Sequence, residues 1–195
     1  SGVSFLQDTA SELLYPVLPF LVTGLLGGSA AVLGVIEGLA DGTAAASKAV
    51  SGRLADRRRR RPLVATGYAV SALGKVLLAA ATAWPLVGAA RFTDRVGKGL
   101  RGPPRDALIA DGTSAADRGR AFGFHRAADT AGAVVGPLLG LGLYHLLDGD
   151  LRPMLWVAVV PAVLSVALVF AVRERPHVQP TAEARREPIR LPTRF

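Results

Sequence analysis

The 195-residue chain has no cysteine, which excludes a disulfide, a thiolate metal site and a cysteine nucleophile. Its histidines and carboxylates show no spacing that suits a metal ion, and no Ser–His–Asp arrangement is present. Gly97-Lys98-Gly99 lacks the upstream glycine and the following Ser or Thr of a phosphate-cradling loop. No metal, no cofactor and no enzymatic activity are therefore expected. No basic stretch with a small-residue cleavage site precedes the first apolar segment, so no secretory leader is legible. The chain opens on Ser1 and turns apolar almost at once, which points to processing or to a fragment. Long polar connections are also scarce, so neighbouring segments are expected to run antiparallel.

What the sequence has is grease. Half of its residues are hydrophobic (50%) and 22 are glycine, a residue raised in membrane-spanning helices. Mean hydropathy is +0.35, high for a soluble domain, which needs a polar surface. Yet 19% of residues are charged, so the charges must be segregated. A bilayer core takes about 20 apolar helical residues. Six stretches of that order can be drawn, at residues 5–27, 31–54, 62–84, 85–111, 118–147 and 151–172. The expected fold is an all-α membrane protein of six transmembrane helices. Residues 1–175 form the helical unit, and 176–195 form a basic tail whose Pro, Arg and Glu content predicts disorder.

The second and fourth stretches carry charge that lipid does not tolerate. The second holds Glu37, Asp41 and Lys48. On the fourth, Arg91, Asp94, Lys98, Arg101 and Arg105 recur three and four residues apart, on one helical face, with Arg95 beside them. A polar stripe on an otherwise apolar helix reads as the wall of an aqueous cavity. The net charge of +8 has two readings: a nucleic-acid surface, or the excess of Lys and Arg in cytoplasmic loops. The second fits better, because the arginines cluster at the ends of apolar segments: five at 57–61 and six between 173 and 194. The turns at 27–30 and 83–86 hold none. Both termini are thus expected in the cytoplasm, the protein in the cell inner (plasma) membrane, and nucleic acid is not an expected partner.

Three motifs carry a family resemblance. Gly52-Arg-Leu-Ala-Asp56-Arg57, followed by basic residues to Arg61, resembles the loop between helices two and three of the major facilitator superfamily. Gly52 permits close helix approach. Asp56 at a helix C-terminus wants a cationic partner, and Arg57 with its neighbours holds the loop in the cytoplasm. Arg91 at the start of an Arg-rich helix, with Pro103 twelve residues on, resembles the family's fourth helix. There an early arginine is associated with proton coupling. The usual glycine four residues after it is Arg95 here, and the stretch looks like a bacterial branch with Arg-x-Gly-Lys-Gly-x-Arg. Gly132-Ala-Val-Val-Gly136-Pro137-Leu-Leu-Gly140 resembles the fifth-helix motif of the family's antiporters, and Arg118 to Gly123 matches the entry to that helix. Gly132, Gly136 and Gly140 share a face, which also suits plain helix packing; Gly34, Gly38 and Gly42 form a similar ladder.

The resemblance implies the N-terminal half of a twelve-helix transporter, built of two inverted three-helix repeats. It implies a secondary active transporter that moves a small solute by alternating access, with the fifth-helix motif favouring proton-coupled export. The solute would be an anion, suggested by the cations of the fourth helix, or a drug. The alternative is a truncated half or membrane interaction subunit that does not transport and needs a second six-helix half or a homodimer. Candidates for the substrate or proton pathway are Asp8, Glu12, Glu37, Asp41, Arg91, Asp94, Arg95, Lys98 and Arg101. Asp8 and Glu12 share a face of the first helix, Glu37 and Asp41 a face of the second. Glu12, deeper than Asp8, and Asp41 are the candidate proton carriers. Lys75 and Asp129 are further buried candidates, with a plain ion pair between the two as the alternative to a functional role. His125 is expected to be a packed or interfacial residue.

Overall fold

The computed structural model describes residues 2–171, and among them every regular element is helical. The expected tail at 176–195 lies outside these residues. The chain runs through α1 (Gly2–Leu14), α2 (Ala30–Ala55), α3 (Arg60–Ala79), α4 (Trp84–Asp111), α5 (Arg118–Leu146) and α6 (Leu151–Ala171). Short connections make successive helices antiparallel.

The first expected stretch is not one regular helix. After α1 the backbone tightens into a 3₁₀ turn at Tyr15–Val17 and then widens into a π-helical turn at Phe20–Leu25. Pro16 and Pro19 lack the N–H that would continue the α ladder, so the register changes there. Leu26 N–H donates to Leu21 O at 3.0 Å, and Gly27, at φ +66°, ends the run in the left-handed region. Ser29 then caps α2 by accepting from Val32 N–H at 3.2 Å. The third stretch also ends early, at Ala79, and an extended Ala83 leads into Trp84-Pro85 at the first turn of α4. Proline fits there because helix-start N–H groups have no intrahelical acceptor.

α4 packs along α3 and α2, whereas α1 packs on α5 and α6, and α6 also packs on α3. Leu14, Leu21, Val22, Leu78, Val87 and Leu155 fill the main core, and Val64, Tyr68 and Val169 a second one. Large apolar side chains cover the outside instead: Leu138, Leu146, Trp156, Val160 and Phe170 are each at least half exposed. Contiguous apolar surface of that kind is foreign to a water-soluble monomer. By length and composition four helices can cross a membrane: Ala30–Ala55, Arg60–Ala79, Arg118–Leu146 and Leu151–Phe170. α1 is too short by itself and α4 too charged to meet that measure.

Candidate functional site

The charged side chains of α4 divide between two environments. Toward its start, glycines let α3 and α4 touch backbone to backbone. A Cβ at Gly74 would lie 2.6 Å from Asp94 N, and one at Gly97 would lie 2.4 Å from Ser71 N. This approach drives Lys75 onto Asp94, Nζ to Oδ1 2.8 Å, with both side chains buried. Ser71 Oγ donates to Asp94 O at 3.0 Å. On the α2 side, Arg91 grips Glu37 with two hydrogen bonds of 2.7 Å, and its Nη1 stands 4.0 Å from Asp94 Oδ2. Arg95 lies 3.9 Å from Glu37 and 3.5 Å from Asp41 Oδ1. These six residues form a closed ion-pair network between α2, α3 and α4. Planar, bidentate Arg–carboxylate pairing holds such charges firmly.

Further along α4 the cavity begins. Pro103 and Pro104 interrupt the helix ladder without breaking the helix. The missing N–H of Pro104 leaves Leu100 O without its helical donor, and Ser51 Oγ of α2 supplies one at 2.6 Å. A cavity of about 580 Å³ opens between α1, α2, α4 and α5. From α1 it is lined by Asp8 and Glu12, and from α2 by Lys48. Lys98, Arg101, Arg105 and Asp106 line it from α4, and Arg126, Asp129 and Thr130 from α5. Five basic side chains thus face four acidic ones. Arg101 reaches Asp8 at 3.4 Å, donates to Ser71 Oγ at 3.0 Å, and lies over the Tyr68 ring 4.7 Å from its centre. Arg105 contacts Asp106 at 3.1 Å and Asp129 at 3.9 Å. His125, fully buried, stands 3.5 Å from Asp129 with no hydrogen bond to either ring nitrogen.

Of the sequence candidates, Asp8, Glu12, Lys98 and Arg101 therefore meet in one cavity. Glu37, Arg91, Asp94 and Arg95 lie in the closed network, and Asp41 on its exposed edge with a side chain 72% exposed. The stripe on α4 is accordingly not a single cavity wall. Its first half is taken up by Lys75 of α3 and by Glu37 and Asp41 of α2. Lys75 and Asp129 do not pair with each other; each has a partner on α4. The pathway candidates omitted Lys48, Arg105, Asp106, Arg126, Asp129 and Thr130, whose approach to Glu12 depends on how four separate helices are rotated.

The two glycine ladders have different fates. Gly132, Gly136 and Gly140 seat α5 on α1: a Cβ at Gly136 would lie 2.8 Å from Glu12 Cβ and 2.9 Å from Thr9 O. Pro137 sits inside that contact and leaves Ala133 O without its helix donor. Gly34, Gly38 and Gly42 face open space. In the last turn of α2, a Cβ added at Gly52 would lie 4.0 Å from Pro103 Cβ. Asp56 caps α2 through its backbone N–H to Gly52 O and, like Arg57, is exposed. No ion pair to Asp56 is seen among the described residues. Arg60 bonds Asp111 at the end of α4, and Arg61 donates to Phe170 O at 3.0 Å. The arginine run thus ties α3 to α4 and α6.

An all-helical bundle with an apolar exterior and a charged cavity between its helices is the build of a multi-pass membrane protein. The family model described as Major Facilitator Superfamily matches residues 1–194, and the chain belongs to that superfamily. It is 35% identical over 176 residues to an uncharacterized MFS-type transporter of Methanocaldococcus jannaschii, covering 89% of this chain and 43% of that one. It is 32% identical over 143 residues to the multidrug resistance protein MdtH of Photorhabdus laumondii, covering 73% of this chain and 35% of that one. The fold is similar to the human organic anion transporter MFSD10, with a TM-score of 0.68 at 22% identity over 87% of this chain and 45% of that one. A bacterial homolog of the lysosomal transporter Spinster, inward-facing and occupied, matches with a TM-score of 0.68 at 18% identity, over 91% and 43%. The chain spans less than half the length of the curated relatives it matches.

Proposed function

We propose that this chain is the N-terminal half of a secondary active transporter. In this reading all six helices, α1 with its irregular extension included, cross the membrane as two inverted three-helix repeats, with both termini in the cytoplasm. The protein sits in the cell's plasma membrane. A second six-helix half, or a second copy, closes the cavity from the side that α2 and α5 leave open. The solute binds among α1, α2, α4 and α5 and is exposed alternately to each side of the membrane.

The observation that carries this reading is the charged cavity inside an apolar bundle, since ionisable groups within a membrane belong to pathways and relays. Proton-coupled export is the direction favoured by the fifth-helix motif and by the MdtH relatives. Glu12 is the better proton carrier: it lines the cavity and has no ion pair among the described residues, whereas Asp41 lies beside Arg95 outside it. The test is solute flux in proteoliposomes under an imposed pH gradient, with organic anions and cationic drugs as candidates. Glu12→Gln is expected to abolish pH-driven flux while leaving downhill exchange; unchanged pH-driven flux removes Glu12 from the mechanism.

A further inference from the structure

The cavity charges divide into those with an opposite charge within 4 Å and those without. Arg101 has Asp8 at 3.4 Å, and Arg105 has Asp106 at 3.1 Å and Asp129 at 3.9 Å. Lys48, Lys98 and Arg126 have no carboxylate within 4 Å among the described residues, and Glu12 has no cation within that distance. Outside these pairs stand three cations and one carboxylate, and the cavity as a whole, five basic side chains against four acidic, is net positive by one charge. The unpaired groups are also arranged by helix, since α2, α4 and α5 each bring one unpaired cation and α1 brings the carboxylate. No aromatic side chain lines the cavity among the described residues, and nine of its thirteen lining residues are ionisable, a wall better suited to a charged solute than to a hydrophobic drug.

Deepening the transport reading, and resting on it, we propose that the cavity takes a small solute with an oxyanion group. Dicarboxylates and phosphate monoesters share this chemistry. Lys48, Lys98 and Arg126, from three helices, receive its oxygens. Glu12 on α1 accepts from a hydroxyl or ammonium of the same solute. A negative charge meets the net positive cavity, and ammonium and guanidinium groups are the donors suited to carboxylate and phosphate oxygens. A permanent organic cation placed there would face three like charges and one opposite charge.

The experiment uses the protein as extracted from its own membrane and incorporated into lipid nanodiscs. Binding of radiolabelled succinate, inorganic phosphate and tetraphenylphosphonium is measured at low and high salt. Succinate or phosphate is expected to bind saturably, more weakly at high salt, and tetraphenylphosphonium not to bind. Lys48→Gln, Lys98→Gln and Arg126→Gln are each expected to weaken the anion by about tenfold or more, the effect of losing one charge-assisted hydrogen bond. Lys98→Arg keeps the affinity near wild type, which separates charge from folding. The proposal is overturned if no anion binds, if tetraphenylphosphonium binds more tightly, or if the three substitutions leave anion affinity unmoved. It is also overturned if anion binding vanishes in phosphatidylglycerol discs, since the occupant is then a lipid headgroup. Anion binding without flux in proteoliposomes defeats the transport reading and leaves this assignment standing. Flux of tetraphenylphosphonium without anion binding does the reverse.

Discussion

Removing Asp94 alone should be among the most damaging single changes in the molecule. Lys75 Nζ is 2.8 Å from Asp94 Oδ1, and the two side chains are only 2% and 8% exposed. No other carboxylate is within 4 Å of Lys75 among the described residues, so Asp94→Leu leaves a buried ammonium with no counter-charge. Breaking a buried pair in this way costs about 3–5 kcal/mol. Lys75→Met should cost less, because Arg91 at 4.0 Å still faces the remaining carboxylate. The double variant Lys75→Met with Asp94→Leu replaces the pair with apolar bulk. It should recover most of the loss, since such exchanges are often neutral. The three variants and the parent form a double-mutant cycle, read by reversible unfolding in mixed micelles. A loss below about 1 kcal/mol for Asp94→Leu, the scale of an exposed pair, would refute the reasoning. So would a double variant whose loss is the sum of the singles.

Four further outcomes follow from the packing. Gly136→Val should destabilise the bundle by about 1–3 kcal/mol in the same unfolding assay, because its Cβ would press on Glu12 and Thr9. In this chain by itself Gly38→Ala should be neutral to stabilising by up to about 1 kcal/mol, since nothing stands within 4 Å of that position and alanine is the better helix former. Ser51→Ala should cost about 1–3 kcal/mol by leaving Leu100 O without a donor; a neutral result would mean that water reaches that carbonyl. Arg60→Ala removes a surface pair with Asp111 and should change stability by about 1 kcal/mol or less.

Much of this was legible in the sequence because hydropathy and charge act locally. The stretches expected at 31–54, 85–111 and 118–147 match α2, α4 and α5 to within a residue at each end. The first helix was harder: hydropathy registers the apolar run through residue 27 but is blind to the register change that Pro16 and Pro19 impose. The end of α3 was missed because the residues on both sides of Ala79 are equally apolar. The site was only half visible. Spacing shows that Arg91 and Lys98 share a stripe, but not that Lys75, Glu37 and Asp41 take up one part of it. Likewise the ladders at Gly34–Gly42 and Gly132–Gly140 read alike, and only the second meets a neighbour. Partner choice between helices, such as Lys75 with Asp94 rather than Asp129, depends on rotations that no single segment encodes.

Because the chain has no native cysteine, single cysteines can report directly on where water enters it. Thr130→Cys and Gly102→Cys place a thiol in the cavity lining, Val163→Cys on the apolar exterior of α6, and Arg59→Cys in the arginine turn. A membrane-impermeant maleimide, applied to sealed vesicles of either orientation, should label positions 130 and 102 and spare 163. Position 59 should be labelled from the cytoplasmic face alone. Labelling at 163 with protection at 130 and 102, or access to 59 from outside the cell, would contradict the account.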